Sequence, residues 1–181
     1  MPNWCSNTLT VHGTVEDVMK FFEENRGIET GPEFGMADGD TRELPLSFKA
    51  SHPTPDQSKF TDHSYQATQG EPDYWHNWNV KNWGTKWDLG DETYVTHSNH
   101  NDNKRTLEYS FETAWAPPTE WLTHVAALYT TLSFKLSYSE EGMGFSGILG
   151  FHNGREVENQ YWEGTVGMDI EQYDEMYGED T

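Results

Sequence analysis

From Arg105 to Thr113 the apolar residues fall at every second position: Leu107, Tyr109 and Phe111 stand on one side, Thr106, Glu108, Ser110 and Glu112 on the other. Successive side chains of a strand point to opposite faces, so this pattern requires a sheet with one buried and one wetted face. Leu132, Phe134, Leu136 and Tyr138 repeat it against Ser133, Lys135 and Ser137. Residues 4–12 do so again: Cys5, Leu9 and Val11 alternate with Ser6, Thr8 and Thr10, with Asn7 on the mostly apolar side. One-sided strands of this kind belong to an antiparallel sheet covered on a single face.

Two helical stripes supply the cover. Thr14 reads as an N-cap with Asp17 as its capping-box partner, and Val15, Val18, Met19 and Phe22 follow at helical spacing until Asn25–Gly27 ends the run. Pro117-Pro118 opens the second stripe, with Leu122, Val125, Ala126 and Tyr129 on one face. Residues 93–97 read as a strand and 99–103 as a turn. Asn153-Gly154 separates strand-like runs at 145–151 and 155–162, a hairpin signal because both central turn positions need positive φ.

The order is therefore strand, helix, excursion, strand, strand, helix, strand, hairpin. It predicts an α+β fold: a ferredoxin-like antiparallel sheet with two helices on one face, a long insertion and an extra C-terminal hairpin. The expected domain covers 1–162, with the insertion at about 27–90 and an acidic tail at 163–181. Within the insertion, Leu44, Leu46 and Phe48 alternate as a short strand, and Pro53 and Pro55 oppose regular structure after it. A helix is expected from Pro72, with Tyr74, Trp75, Trp78 and Asn82 sharing a face and Gly84 as its stop.

Charge excludes several functions. Acidic residues outnumber basic ones 31 to 11, for a net charge of −20. From Glu156 onward there are nine carboxylates and no Lys or Arg. A field of this sign repels phosphate backbones and anionic membranes, and favours a protein partner with a basic surface. Solubility alone is the plainer reading of the same excess. No direct nucleic-acid contact and no membrane association are expected. The single cysteine, Cys5, excludes an internal disulfide and a Cys-based zinc site. With no basic-plus-apolar leader and no long apolar run, a reducing cytoplasm is the expected setting.

Catalytic motifs are absent. Gly144-Phe145-Ser146-Gly147-Ile148 fails the G-x-S-x-G elbow at its last position, and no phosphate-cradling glycine loop occurs. Cys5 reads as an inert buried thiol, and Glu140-Glu141 as a solvated turn. His97, His100 and Asp102 give H-x-x-H-x-D, a weak metal candidate flanking a turn, with solvated loop histidines as the plainer reading. His52 and His63 have no fixed partners in the sequence. No cofactor is expected.

The concentrated feature is aromatic. Trp75, Trp78, Trp83 and Trp87 are half of the eight tryptophans, and Lys81 and Lys86 stand among them. Rings beside cations suit stacking on a base or anchoring a protein interface. They suit equally the core of a domain that is only 34% hydrophobic and leans on its aromatics. A mixture of buried and exposed rings is expected. Trp75, Trp78, Trp83, Lys86, Trp87 and Asp88 are the candidate binding residues.

Four segments carry a resemblance: residues 1–7 (Met-Pro-Asn-Trp-Cys-Ser-Asn), residues 78–88 from Trp78 to Asp88, residues 111–118 from Phe111 to Pro118, and Gly144–Gly147. They resemble the phage and plasmid family named for YubB, also described as Api-like proteins with a ferredoxin-like domain. The resemblance implies that fold and carriage by a mobile element, and implies no activity. The chain thus reads as a non-enzymatic accessory protein that binds a basic host or phage protein, as a nucleic-acid mimic or counter-defence inhibitor in the sharper version. The alternatives are a small-molecule or nucleotide site, possibly hydrolytic, lined by Trp83, Lys86, Trp87 and Asp88, and a structural virion component.

Overall fold

Alternation over residues 105–113 becomes one of the two 11-residue strands, the longest described, of a six-stranded sheet in the computed structural model of the chain. The structure describes residues 2–31, 36–101 and 103–164; Asp102 and the acidic tail beyond Gly164 lie outside them. Strand β1 (Trp4–Thr14) leads into helix α1 (Val15–Glu24). The Thr14 hydroxyl accepts the Asp17 N–H at 3.1 Å, the expected cap, and donates to the Asp17 carboxylate at 2.8 Å. After the insertion come β4 (Tyr94–Asn101), β5 (Lys104–Ala114), α5 (Thr119–Leu128), β6 (Ser133–Glu140), β7 (Phe145–His152) and β8 (Arg155–Glu163). The order in space is β4-β5-β1-β6-β7-β8, with every neighbouring pair antiparallel.

The set β1-α1-β4-β5-α5-β6 is the split βαβ unit of a ferredoxin-like fold, with β1 between β5 and β6. The β7–β8 hairpin extends the β6 edge through Asn153 and Gly154, both at positive φ as a type I′ turn requires. Leu9, Val11, Leu107, Tyr109, Phe134, Leu136, Leu149 and Phe151 project from one face into a core with Val18, Phe21, Trp121, Leu122 and Val125 from α1 and α5. Among the described residues no helix covers the other face, which carries the Ser, Thr and Glu positions of the same strands.

The insertion has more structure than its glycines and prolines suggest. Strands β2 (Gly27–Thr30) and β3 (Thr41–Leu44) form a separate two-stranded sheet, followed by α2 (Phe48–Ser51), α3 (Tyr65–Thr68) and α4 (Trp75–Trp83). Leu46, Phe48, Trp83 and Leu89 join the main core. The strand expected over 44–48 is therefore corrected: Leu44 ends β3, and Phe48 opens a helix. The expected helix starts three residues later than Pro72, because Pro72 sits in a turn closed by the Tyr74 N–H on the Glu71 carbonyl. Gly84 stops α4 as expected, at φ 87° in the left-handed region. The turn expected at 99–103 is largely strand, since β4 continues through a bulge to Asn101.

Candidate functional site

The tryptophan-rich segment splits among several tasks. Helical spacing puts Asn79 and Trp83 on one side of α4, and both are buried. Trp83 has no exposure, packs on Phe48 and Trp78, and donates its indole N–H to the His52 carbonyl at 2.9 Å. Gly84 then passes the Pro117 carbonyl so closely that a Cβ would sit 2.9 Å from it. The Thr85 hydroxyl donates to the Ala114 carbonyl at 2.9 Å, tying the segment to the end of β5. Lys86 lies over the Trp87 ring at 4.5 Å and the Trp75 ring at 6.0 Å, an ammonium on two aromatic faces.

Asp88 serves the backbone. Its carboxylate accepts from the Ser47 hydroxyl at 2.7 Å and from the N–H groups of Phe48 at 2.6 Å, Lys49 at 3.3 Å and Leu89 at 2.9 Å. Ser47, at the N-cap position of α2, makes no side-chain cap of its own, so a carboxylate 40 residues away closes that helix end. Of the six candidate binding residues, Trp83 is thus core and Asp88 a cap. Trp75, Trp78 and Lys86 are half-buried, and Trp87 faces outward.

Trp87 meets Trp4, the first residue of β1, at 6.2 Å between ring centroids. Trp87 is 39% and Trp4 48% exposed. Trp4 pairs with Ala114, and the next residue, Trp115, donates its N–H to the Asn3 carbonyl at 2.9 Å. Trp115 is 46% exposed and holds φ 72°, a left-handed conformation that costs a residue other than glycine of order 1 kcal/mol. Three solvent-facing tryptophans therefore gather at one end of the sheet. Of the four segments that carry the resemblance, three converge here, through Trp4, Thr85 with Trp87, and Ala114 with Trp115.

A cleft of about 910 Å3 opens beside Trp4 and Trp87, between the small sheet, α2 and the loop leading to β4. Its two arginines are committed to carboxylates. Arg42 binds the Glu29 carboxylate through Nε at 2.9 Å and also through Nη2, and reaches Asp91 at 2.6 Å; Arg26 pairs with Glu23 and Glu43. Glu92 and Glu112 line the cleft as well, and both line a second depression of about 820 Å3 on the open face of the sheet.

The remaining candidates separate. His97 pairs with Leu107 on the helix-covered face and packs against Phe22 at 5.2 Å. His100 bonds the Thr106 hydroxyl at 2.7 Å on the open face, where His12 bonds the same oxygen at 2.9 Å. Leu107 and Thr106 are successive strand residues, so the two histidines of the H-x-x-H pattern lie on opposite faces and share no ligand position. Among the described residues no group of three or more His, Cys, Asp or Glu is placed to hold a metal. His52, expected to lack partners, packs against the His124 ring at 3.8 Å and the Trp78 ring at 4.8 Å between centroids, both tilted. Burial first, and His124 second, hold its pKa below the ordinary value.

Cys5 is buried, and burial pushes its thiol up to about 12, so it is no nucleophile at neutral pH. Glu140 departs from the solvated-turn expectation: it is buried and accepts the Gly142 N–H at 2.8 Å and the Met143 N–H at 2.6 Å. Sequence reasoning put Glu112 on the wetted face but did not single out Trp4, Trp115, Tyr94, Glu92 or Glu112 as candidate site residues. For Trp4, Tyr94 and Glu112 the signal was the strand phase itself. Trp4 alternates out of step with Cys5, Tyr94 with Val95, and Glu112 with Phe111.

Residues 93–180 match the family model described as the ferredoxin-like domain in Api92-like protein. That range starts at β4, so β1 and α1 lie outside the matched sequence although β1 sits inside the sheet. The structure is similar to the crystal structure of a protein api92 from Yersinia pseudotuberculosis, with 12% identity and a TM-score of 0.50 over 93% of this chain and 100% of that one. The likeness establishes a shared fold. No curated protein matches the sequence. Among the described residues no helix is long and apolar enough to cross a membrane.

Proposed function

We propose that this chain is a non-enzymatic binding protein that docks a partner protein with a basic surface. The observation that carries the reading is the exposed pair Trp4 and Trp87 with Trp115 beside it, next to Glu92 and Glu112. Tryptophan concentrates binding energy at protein interfaces, and carboxylates around it select a cationic partner and speed its approach. Trp115 keeps its ring at the surface despite an unfavourable backbone angle, which favours a role outside the fold. The net charge of −20 supports a sharper version, in which carboxylates stand where phosphates would in the nucleic-acid groove of a host or phage protein. Carriage by a phage or plasmid belongs to the same proposal and rests on the sequence resemblance.

Replacing Trp4 and Trp87 by alanine tests the reading. The double variant is expected to fold and to lose the partner, and high salt is expected to weaken the wild-type complex steeply. A partner held equally by the variant, or at all salt concentrations, speaks against it.

A small-molecule ligand in the cleft is a second reading, favoured by a volume within the range of ligand pockets. Trp83, buried in the core, does not line that cleft, and Asp88, which does, already has its carboxylate engaged by the α2 end. Quenching of tryptophan fluorescence across a nucleotide panel tests it, and a silent panel removes it.

A further inference from the structure

The open face of the sheet has a floor of hydroxyls. Across the strands, one register row runs Tyr94, Ser110, Thr8, Ser137 and Ile148. The next runs Glu112, Ser6, Ser139, Ser146 and Trp162. Side chains on the four inner strands are mostly small, while the two outer strands carry Tyr94, 67% exposed, and Trp162. Large rings at the edges and small groups between them make a trough that runs along the strands. With strands about 4.8 Å apart, its low part spans about 14 Å and the backbones of its walls stand about 24 Å apart. An α-helix about 10–12 Å across fits that width.

The lining decides what sort of helix. Glu92 and Glu112 contribute carboxylates, and no Lys or Arg is among the lining residues. On this face Lys135 follows only in the next row, opposite Thr10 and Gly150. Single-stranded nucleic acid stacks on aromatic rings but needs a cationic groove for its backbone, which this lining does not offer. The chain's own segment 165–181 has six carboxylates and no Lys or Arg, so its charge is also wrong for the trough. A guanidinium suits both features: it stacks on aromatic faces and bonds carboxylates in a planar fork.

We propose that the trough seats one arginine-bearing helix of the partner protein, with its cations directed to Glu92 and Glu112 and its flanks against Tyr94 and Trp162. This rests on the proposed function and adds where the partner lies and what it presents. The tryptophan patch at the sheet end then forms a neighbouring contact that shares the two glutamates.

The probe is a fluorescently labelled, alanine-based helical peptide with arginines along one face, followed by polarisation at low salt. Binding is expected, with roughly tenfold weaker affinity for Trp162→Ala and for the charge-reversing surface changes Ser6→Arg and Ser110→Arg, each checked for native circular dichroism. Tyr65→Ala, at an exposed ring that lines neither the trough nor the cleft, is expected to leave peptide affinity unchanged. Equal binding of an isomer interrupted by prolines overturns the helix. Indifference to the Trp162, Ser6 and Ser110 changes, with loss in Trp4→Ala or Trp87→Ala, overturns the trough and leaves the binding role at the sheet end intact. If neither this peptide nor any basic protein binds, both proposals fall.

Discussion

The rings of Trp4 and Trp87 lie 6.2 Å apart, tilted by 43°, and both face solvent, although 82 residues of chain lie between them. Seven residues after one ring and four before the other, the same two segments enter the core as Val11 and Trp83.

That contrast yields a paired prediction. Trp83→Ala removes a fully buried ring and its bond to the His52 carbonyl, and is expected to cost about 3–5 kcal/mol of stability. Trp87→Ala is expected to cost less than about 1 kcal/mol, and to weaken partner binding by about 2 kcal/mol. Urea unfolding and an affinity measurement on the same two variants separate the roles. A large stability loss for Trp87→Ala contradicts the assignment.

Asp88 is expected to be a stability residue. Asp88→Ala leaves the α2 end and the Leu89 N–H without their acceptor, and is expected to cost about 1–3 kcal/mol. Asp88→Asn keeps one acceptor oxygen and is expected to lose less. Unfolding midpoints at neutral pH check the order, and an unchanged midpoint for Asp88→Ala removes the cap from the account.

Stability is expected to fall as the solution turns mildly acid. In the folded chain burial and then His124 lower the pKa of His52 from 6.5, while the unfolded imidazole titrates at its ordinary value. Above about 6.5 the ring is neutral in both states and its contribution is complete. Below that value the unfolded ring takes a proton the folded one resists, so stability drops until the folded pKa is passed. His12, lowered by burial and then by His100 and Lys104, acts with the same sign. Unfolding compared near pH 7.5 and near pH 5.5 reads the loss. In His124→Gln the loss is expected to shrink, and a loss of the same size shows that the His52–His124 pair is not its source.

Much of this fold is legible where the physics is local. The period-two runs at β1, β5 and β6, the Thr14 cap and the Asn153-Gly154 turn are each complete within a dozen residues. The insertion is not, because its order comes from distant partners. Phe48 begins a helix closed by Asp88, and β2 finds β3 across residues that show no alternation. The site was legible in the same proportion. Strand phase marks Trp4 and Glu112 as outward, while the meeting of Trp4 with Trp87 follows only from Thr85 binding the end of β5.

Cys5 offers an independent check on the sheet end. With its thiol buried and raised to about 12, it is expected to resist an aromatic disulfide reagent at neutral pH in the native chain and to react at once when urea is added. Fast native labelling shows that the start of β1 opens readily and that the aromatic patch is not held in one geometry.

The most direct test is capture from a bacterial lysate by the wild-type chain and by Trp4→Ala/Trp87→Ala, each washed at low and at high salt. The expected result is a basic protein retained by the wild type at low salt, released at high salt and absent from the variant. Retention of that protein by both chains, or capture of DNA or RNA in its place, contradicts a binding surface made of exposed tryptophan and carboxylate.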